Sequence, residues 1–192
     1  MSDARPSSVE VRNLRADEAQ ELIDALAEVL VDCVAGGASV SYMAGLSHAE
    51  ARAVFESVAA EVERGRLLLF AAFIDGALVG TVQVVHALPP NQPHRADVAK
   101  LLVHRSARRC GVGRLLMEHA EAESSAQGKT LLVLDTVTGS AAERLYEQLG
   151  WTKAGVIPDY ALYPDGRPCD TTILWKQLRP PMSSSSAAVR LG

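Results

Sequence analysis

The chain has 192 residues, 48% of them hydrophobic, with a formal net charge of −4 and three cysteines. That length and apolar content suit one soluble globular domain with a full core, and the acidic balance disfavours a nucleic-acid partner, which demands a broad basic face to neutralise phosphates. Cys33, Cys110 and Cys169 are odd in number and scattered, which predicts free thiols. With no apolar run of membrane-spanning length and no charged-then-apolar leader, the sequence predicts a cytoplasmic protein without a membrane partner.

Val9 to Leu14 alternates weakly, as an edge strand does. From Ala16 to Val34 the residues Leu22, Ala25, Leu26, Val29, Leu30 and Cys33 fall on one helical stripe, which Gly36-Gly37 ends. Ala38 to Met43 is a small-residue loop that carries Ser39 and one aromatic, Tyr42. Set between two packed helices, it either lines a pocket or simply connects them. Ser47-x-x-Glu50 is a capping box, predicting a second helix that stops at Gly65. Arg66 to Ile74 and Ala77 to His86 are strand-like runs joined by Asp75-Gly76, the signal of an antiparallel hairpin. After a loop at Pro89 to Pro93, Asp97 to His104 reads as another apolar strand, and Gly113 to Gln127 as a helix with Gly128 past its end.

Thr130 to Thr136 is a short continuous apolar run, as in a strand buried on both faces. Ser140 to Leu149 reads as a short helix, Trp151 to Val156 and Thr171 to Leu178 as two strands, and Trp151 and Trp175 as core residues. From Pro180 onward, Pro-Pro and a run of serines predict a flexible tail, so one domain is expected over 1–179 and a tail over 180–192.

Between the strand ending at His104 and the helix after it lies Arg105-Ser106-Ala107-Arg108-Arg109-Cys110-Gly111-Val112-Gly113-Arg114. Two glycines one residue apart let successive backbone N–H groups converge on an anion, and the positive end of the following helix points at the same place. Four arginines add to that field; the competing reading is a glycine turn with a solvated basic face. A nucleotide-hydrolysing P-loop is excluded because no Gly-Lys-Ser/Thr triplet occurs. A dinucleotide fingerprint is excluded because Leu116 stands where its third glycine belongs. What remains, Arg108-x-x-Gly111-x-Gly113 between a strand and a helix, resembles the pyrophosphate loop of the Gcn5-related N-acetyltransferases (GNAT). Leu145-Tyr146-x-x-x-Gly150-Trp151 resembles that family's second signature.

This resemblance, over about Val9 to Leu178, implies an α/β fold with a mixed sheet, in which the strand before the loop and the strand after its helix run parallel and splay apart. It implies acetyl-CoA as cosubstrate and transfer of the acetyl group to an amine (or hydroxyl) of a small-molecule acceptor by direct attack in a ternary complex, in a monomer or homodimer. Coenzyme contacts fall by resemblance on Leu101, Leu102 and Val103, and on Arg108, Arg109, Cys110, Gly111, Val112, Gly113 and Arg114. The N–H of Leu101 is the implied donor to the thioester oxygen. Many members carry Asn at the position of Gly139, so one contact to the pantetheine arm is expected to be missing. Gly36-Gly37-Ala38-Ser39-Val40, Arg95 to Leu101, Leu134-Asp135-Thr136 and Gly139-Ser140 are similar to a branch of the family that acetylates a β-lactam dipeptide toxin. The alternative from another class is a non-catalytic acyl-CoA sensor or docking module.

Acetyl transfer to an amine requires a proton acceptor, a polarised carbonyl and a proton for the departing thiolate. Simple alternation places Asp97, Ala99, Leu101 and Val103 on one strand face and Val98, Lys100 and Leu102 on the other, leaving Asp97 as the strand's one carboxylate. Its position matches the glutamate base of histone-type family members; otherwise it makes a salt bridge at the strand's mouth. Asp135, at the carboxyl end of an apolar run, is either a site group or a cap. Tyr146 is the acid toward the thiolate by resemblance, or a core tyrosine. Ser39, Tyr42 and Tyr160, with Tyr163, are expected at the acceptor. Lys100 reads as solvated or ion-paired and Cys110 as a tolerated small residue. No metal site is expected, because the histidines show no ligand spacing.

Overall fold

Residues 8–86 and 89–178 are described by a computed structural model, in which seven strands form one sheet. Strand β1 (Val9–Leu14) leads into helices α1 (Ala16–Glu21), α2 (Ile23–Ala35) and α3 (His48–Glu63). An antiparallel run follows, β2 (Leu67–Ile74), β3 (Ala77–Val85) and β4 (Arg95–Val103), and then α4 (Val112–Ala126), β5 (Leu131–Val137) and α5 (Ala141–Gln148). The hairpin β6 (Thr152–Leu162) and β7 (Pro168–Gln177) completes the described chain. Across the sheet the order is β1-β2-β3-β4-β5-β7-β6, and β4 with β5 is the parallel pair. This is the mixed α/β sheet the sequence implied. The predicted tail lies outside the described residues.

Both faces of the central strands are covered, which is why their sequences are almost continuously apolar. Leu67, Leu69, Ala71 and Phe73 of β2 pack with Leu26, Leu30 and Phe55 of α2 and α3. Phe70 and Ala72 turn the other way, toward Val112, Leu116 and Met117 of α4. The Ser47 capping box forms as expected: its hydroxyl accepts from the Glu50 N–H at 3.2 Å and the Glu50 carboxylate accepts from the Ser47 N–H at 2.8 Å.

Four expectations are corrected. The single helix read over Ala16 to Val34 breaks at Leu22 (φ −98°, ψ 8°), although its apolar stripe continues across the break and no Pro or Gly marks it. Strand β6 runs past Val156 to Leu162, because a register shift between Ile157 and Ala161 absorbs Pro158, which has no N–H to give a ladder. Strand β5 is buried on one face, through Leu132 and Leu134, and half-open on the other. Trp151 is core, but Trp175 is 37% exposed: it sits on β7, while α2 and α3 cover the sheet only from β2 to β4.

Candidate active site

The parallel ladder between β4 and β5 is short, pairing Arg95 with Leu131, Ala96 with Leu132 and Asp97 with Val133 before the strands part. On its other side β4 carries a bulge, where Val82 of β3 stands opposite both Lys100 and Leu101, and Lys100 adopts φ 52°. The extra residue overturns the simple alternation expected from Asp97 to Val103. Ala96 and Val98 pack toward α4, as do Leu101 and Val103 beyond the bulge, whereas Leu102 packs with α2 and α3. Lys100 and Leu101 are thereby released from the β3 ladder just where β5 has already left, so their backbone groups face the opening between the strands.

That opening continues into the loop after β4. Arg109 (φ 65°) and Gly111 (φ 80°) hold left-handed conformations two residues apart, and Gly111 is the N-cap of α4. This alternation curls successive amides toward one point. Among the described residues, the N–H groups of Arg109 to Arg114 have no acceptor in the protein. Gly113 is required for a different reason: a Cβ there would lie 3.1 Å from the Leu145 side chain of α5. The loop is therefore a set of converging, unpartnered donors at a helix N-terminus, the arrangement suited to a pyrophosphate.

The arginines contribute less to that field than their number suggests. Arg105 is drawn to Asp32 of α2, whose side chain is 5% exposed and whose Oδ2 accepts the Arg105 N–H at 2.9 Å; His104 Nε2 lies 3.4 Å from the same carboxylate. Burial opposes ionisation of Asp32, but these donors and charges outweigh it and hold the carboxyl below its ordinary range. Arg114 reaches Glu118 at 3.7 Å, and Arg108 donates from Nε to the Val103 carbonyl at 3.2 Å. Arg109 has no ion pair among the described residues. Cys110 is exposed, and all three thiols are free.

A cavity of about 500 Å³ reaches from the splay to the loop after α2, and Leu101 of its lining approaches Gly113 of the cradle. It brings together Asp135, Tyr146, Leu101, Ser39, Tyr42 and Tyr160, six residues drawn from five separate parts of the chain. Asp135 has no ion pair among the described residues. Tyr146 is buried, tilted against Trp151 with ring centroids 5.9 Å apart. Burial, aided by the charge of Asp135, raises its phenol well above the ordinary tyrosine value, so the hydroxyl keeps its proton at neutral pH.

Asp97 is not among the lining residues; its Oδ1 accepts from Arg95 Nη1 at 2.7 Å. Burial raises the Asp97 carboxyl, against the pull of Arg95, and Asp135 raises it further, so the two aspartates sense one another. Tyr163 also lies outside the lining and stacks on the Arg167 guanidinium at 5.2 Å.

The loop is fixed from three sides. Ser39 Oγ donates to the Leu162 carbonyl at 2.7 Å, the Ala44 N–H donates to Pro164 at 3.0 Å, and Lys100 Nζ donates to the Val40 carbonyl and Ser41 Oγ, both at 2.7 Å. Lys100 forms no ion pair among the described residues and is tied to the loop by these two hydrogen bonds. It is half-buried, its ammonium lies 5.5 Å from the Tyr42 ring centre, and burial lowers its pKa from the usual lysine value. Residues passed over in the sequence include Thr136, Ser140 and Leu162. Ser140 carried a signal, since it caps α5 by accepting the Glu143 N–H at 3.0 Å; Leu162 carried none, because the strand was read as ending earlier. At Gly139 both backbone groups are engaged, the N–H by Glu143 and the carbonyl by Arg144. Among the described residues no group of three or more His, Cys, Asp or Glu side chains is placed to hold a metal ion, and no helix is long and apolar enough to cross a membrane.

A splayed mixed sheet with an amide cradle at the head of the helix between its parallel strands defines a class of coenzyme-binding transferase folds. Three solved structures share it. An N-acetyltransferase from Staphylococcus aureus Mu50 is 19% identical, with a TM-score of 0.75 over 90% of this chain and 100% of its own. YncA from Salmonella typhimurium, solved with its cofactor acetyl-CoA, is also 19% identical, with a TM-score of 0.74 over 94% and 99%. The ribosomal-protein-alanine N-acetyltransferase of Brucella melitensis is 19% identical, with a TM-score of 0.73 over 88% and 99%. Residues 37–151 match the model of the acetyltransferase (GNAT) family, and the chain belongs to that family.

Proposed function

We propose that the protein is an acetyl-CoA-dependent N-acetyltransferase acting on a small amine acceptor. The observation that carries this reading is the cavity in which Asp135 and Tyr146 meet the β4 bulge, with Leu101 of its lining reaching to Gly113 of the cradle. The residues present fit the coenzyme: the cradle amides and the exposed Arg109 would hold the pyrophosphate, and the strand end from Leu101 to Val103 would face the pantetheine arm. Bound acetyl-CoA supplies an activated acyl thioester.

In this reading the Asp135 carboxylate binds the acceptor amine and takes its proton at Oδ, and the Leu101 N–H polarises the acyl oxygen. The Tyr146 hydroxyl, which keeps its proton at neutral pH, gives that proton to the departing sulfur. Asp97, held by Arg95 beside the cavity, acts through its charge or through a bridging water. Ser39, Tyr42 and Tyr160 shape the acceptor's seat.

Within the family, the loop Gly36 to Val40, the strand Arg95 to Leu101 and the pair Asp135-Thr136 are similar to the tabtoxin resistance protein, which supports an amino-acid-like toxin or antibiotic as acceptor. Asp135 and Tyr146 together in one cavity favour catalysis over a coenzyme sensor, for which a cradle alone suffices. A screen of amines for thiol release from acetyl-CoA tests the reading: release is expected with at least one primary amine. Acetyl-CoA binding with no release from any amine would favour the sensor.

A further inference from the structure

The cavity holds two charged groups of opposite sign, neither of which forms an ion pair among the described residues. Asp135 lines it on the splay side and Lys100 on the loop side. They lie close enough for the carboxylate to stabilise the ammonium, yet beyond 4 Å of one another. A lysine ammonium has three N–H donors. Two go to neutral oxygens, Val40 O and Ser41 Oγ, which leaves one donor without a partner among the described residues and a half-buried positive charge that no carboxylate contacts directly.

The side chain is held there at a backbone cost. Lys100 has φ 52°, a conformation a lysine rarely adopts, and the β4 bulge imposes it. Ser41, which accepts from the same ammonium, is also left-handed at φ 80°. Lys100 and Tyr42 moreover form the wall between this cavity and a second one of about 370 Å³ under α2 and α3, lined by Leu30, Phe55 and Val58. The acidic group at that second cavity, Glu61, is already taken by Arg64 at 2.9 Å and by Arg66. An isolated cation strained into place at the rim of an acceptor cavity, across from an isolated carboxylate, complements a ligand carrying both charges.

Building on the acetyl-transfer reading, we propose that the acceptor is an amine that also bears a carboxylate, its ammonium end toward Asp135 and its carboxylate on Lys100 Nζ. Plain polyamines and neutral amines satisfy Asp135 but leave the third Lys100 donor without a partner. Lys100 is thus a specificity-determining residue of the acceptor site.

The test compares matched acceptors that differ in the carboxylate alone, with the protein saturated with acetyl-CoA: L-leucine with isoamylamine, L-phenylalanine with phenethylamine, and L-lysine with cadaverine. The carboxylated member is expected to have the higher kcat/KM, by about 10- to 100-fold, the span of one charge-assisted hydrogen bond. Lys100→Met should bring that ratio toward one, and Lys100→Arg should keep it. If Lys100 only anchored the loop, Lys100→Met would slow both members of a pair together and leave the ratio standing, which would overturn the proposal while acetyl transfer survived. A wild-type preference for the plain amines would overturn it likewise. Should no amine release thiol, acetyl transfer itself fails, and calorimetry of the same pairs on the coenzyme-A-saturated protein decides the anion site separately. Amino-acid binding that Lys100→Met abolishes sustains it, and binding that is absent or indifferent to the carboxylate overturns it.

Discussion

The cradle and the cavity meet at the splay of β4 and β5, yet they are made of different material. The cradle consists of backbone: amides from Arg109 to Arg114, curled by two left-handed residues in one short stretch of chain. The cavity consists of side chains delivered by the loop after α2, the β4 bulge, β5, α5 and β6. The difference teaches what each region tolerates. A backbone site resists most substitutions that leave φ and ψ alone, whereas a side-chain site fails at a single atom.

The comparison breaks most visibly at Asp135. In the acetyl-transfer reading, Asp135→Asn lowers kcat by roughly 10²–10⁴-fold, the span of general acid–base catalysis, with acetyl-CoA affinity unchanged. Steady-state kinetics beside calorimetry reads both, and an equal loss of coenzyme affinity would mean that the two regions are one. Tyr146→Phe should lower kcat in the same direction while packing is preserved.

In the cradle the damaging change must reach the backbone or fill its concavity. Gly111→Asp forces a side chain into φ 80° and sets a carboxylate among the donors, so the acetyl-CoA Kd should rise by about 10- to 100-fold. An unchanged Kd in a folded variant would reduce the loop to a turn.

Asp32 tests the seam between α2 and the cradle. Asp32→Ala strips Arg105 of its carboxylate acceptor and should cost about 1–3 kcal/mol in denaturant unfolding at neutral pH. Asp32 and Glu143 both have folded pKa values below their ordinary ones, so the unfolded chain binds more protons as pH falls. Their stabilisation is therefore complete above about pH 4, the unfolded carboxylate value, and is lost as pH drops through the lower folded values. The Asp32→Ala variant should show a shallower loss of stability over that acid range; an unchanged slope would sink this assignment.

The smallest effect is expected at Arg109. Arg109→Ala should raise the acetyl-CoA Kd only a few-fold, and less at high salt, because an exposed charge is screened. A large, salt-independent loss would show that side chains, after all, carry the cradle.

Most of the architecture was legible in the sequence because it rests on short-range rules. The Ser47 capping box, the Asp75-Gly76 hairpin and the helix stops at Gly36 and Gly128 are each set by neighbours within a few residues. The turn at Gly111 was legible for the same reason, whereas the left-handed Arg109 and the contact of Gly113 with Leu145 of α5 were not. What tertiary structure decided was which side chains meet. One extra residue in β4, visible only against its partner Val82, moved Leu102 to the face opposite Val98 and set Lys100 in the cavity lining. The reach of α2 and α3 across the sheet left Trp175 in solvent, and pairing with β7 carried β6 through Pro158 to Leu162. Period and propensity are properties of a segment, whereas a bulge, a covered face and a shared cavity are properties of two segments in contact, and a single strand read alone contains no record of its partner.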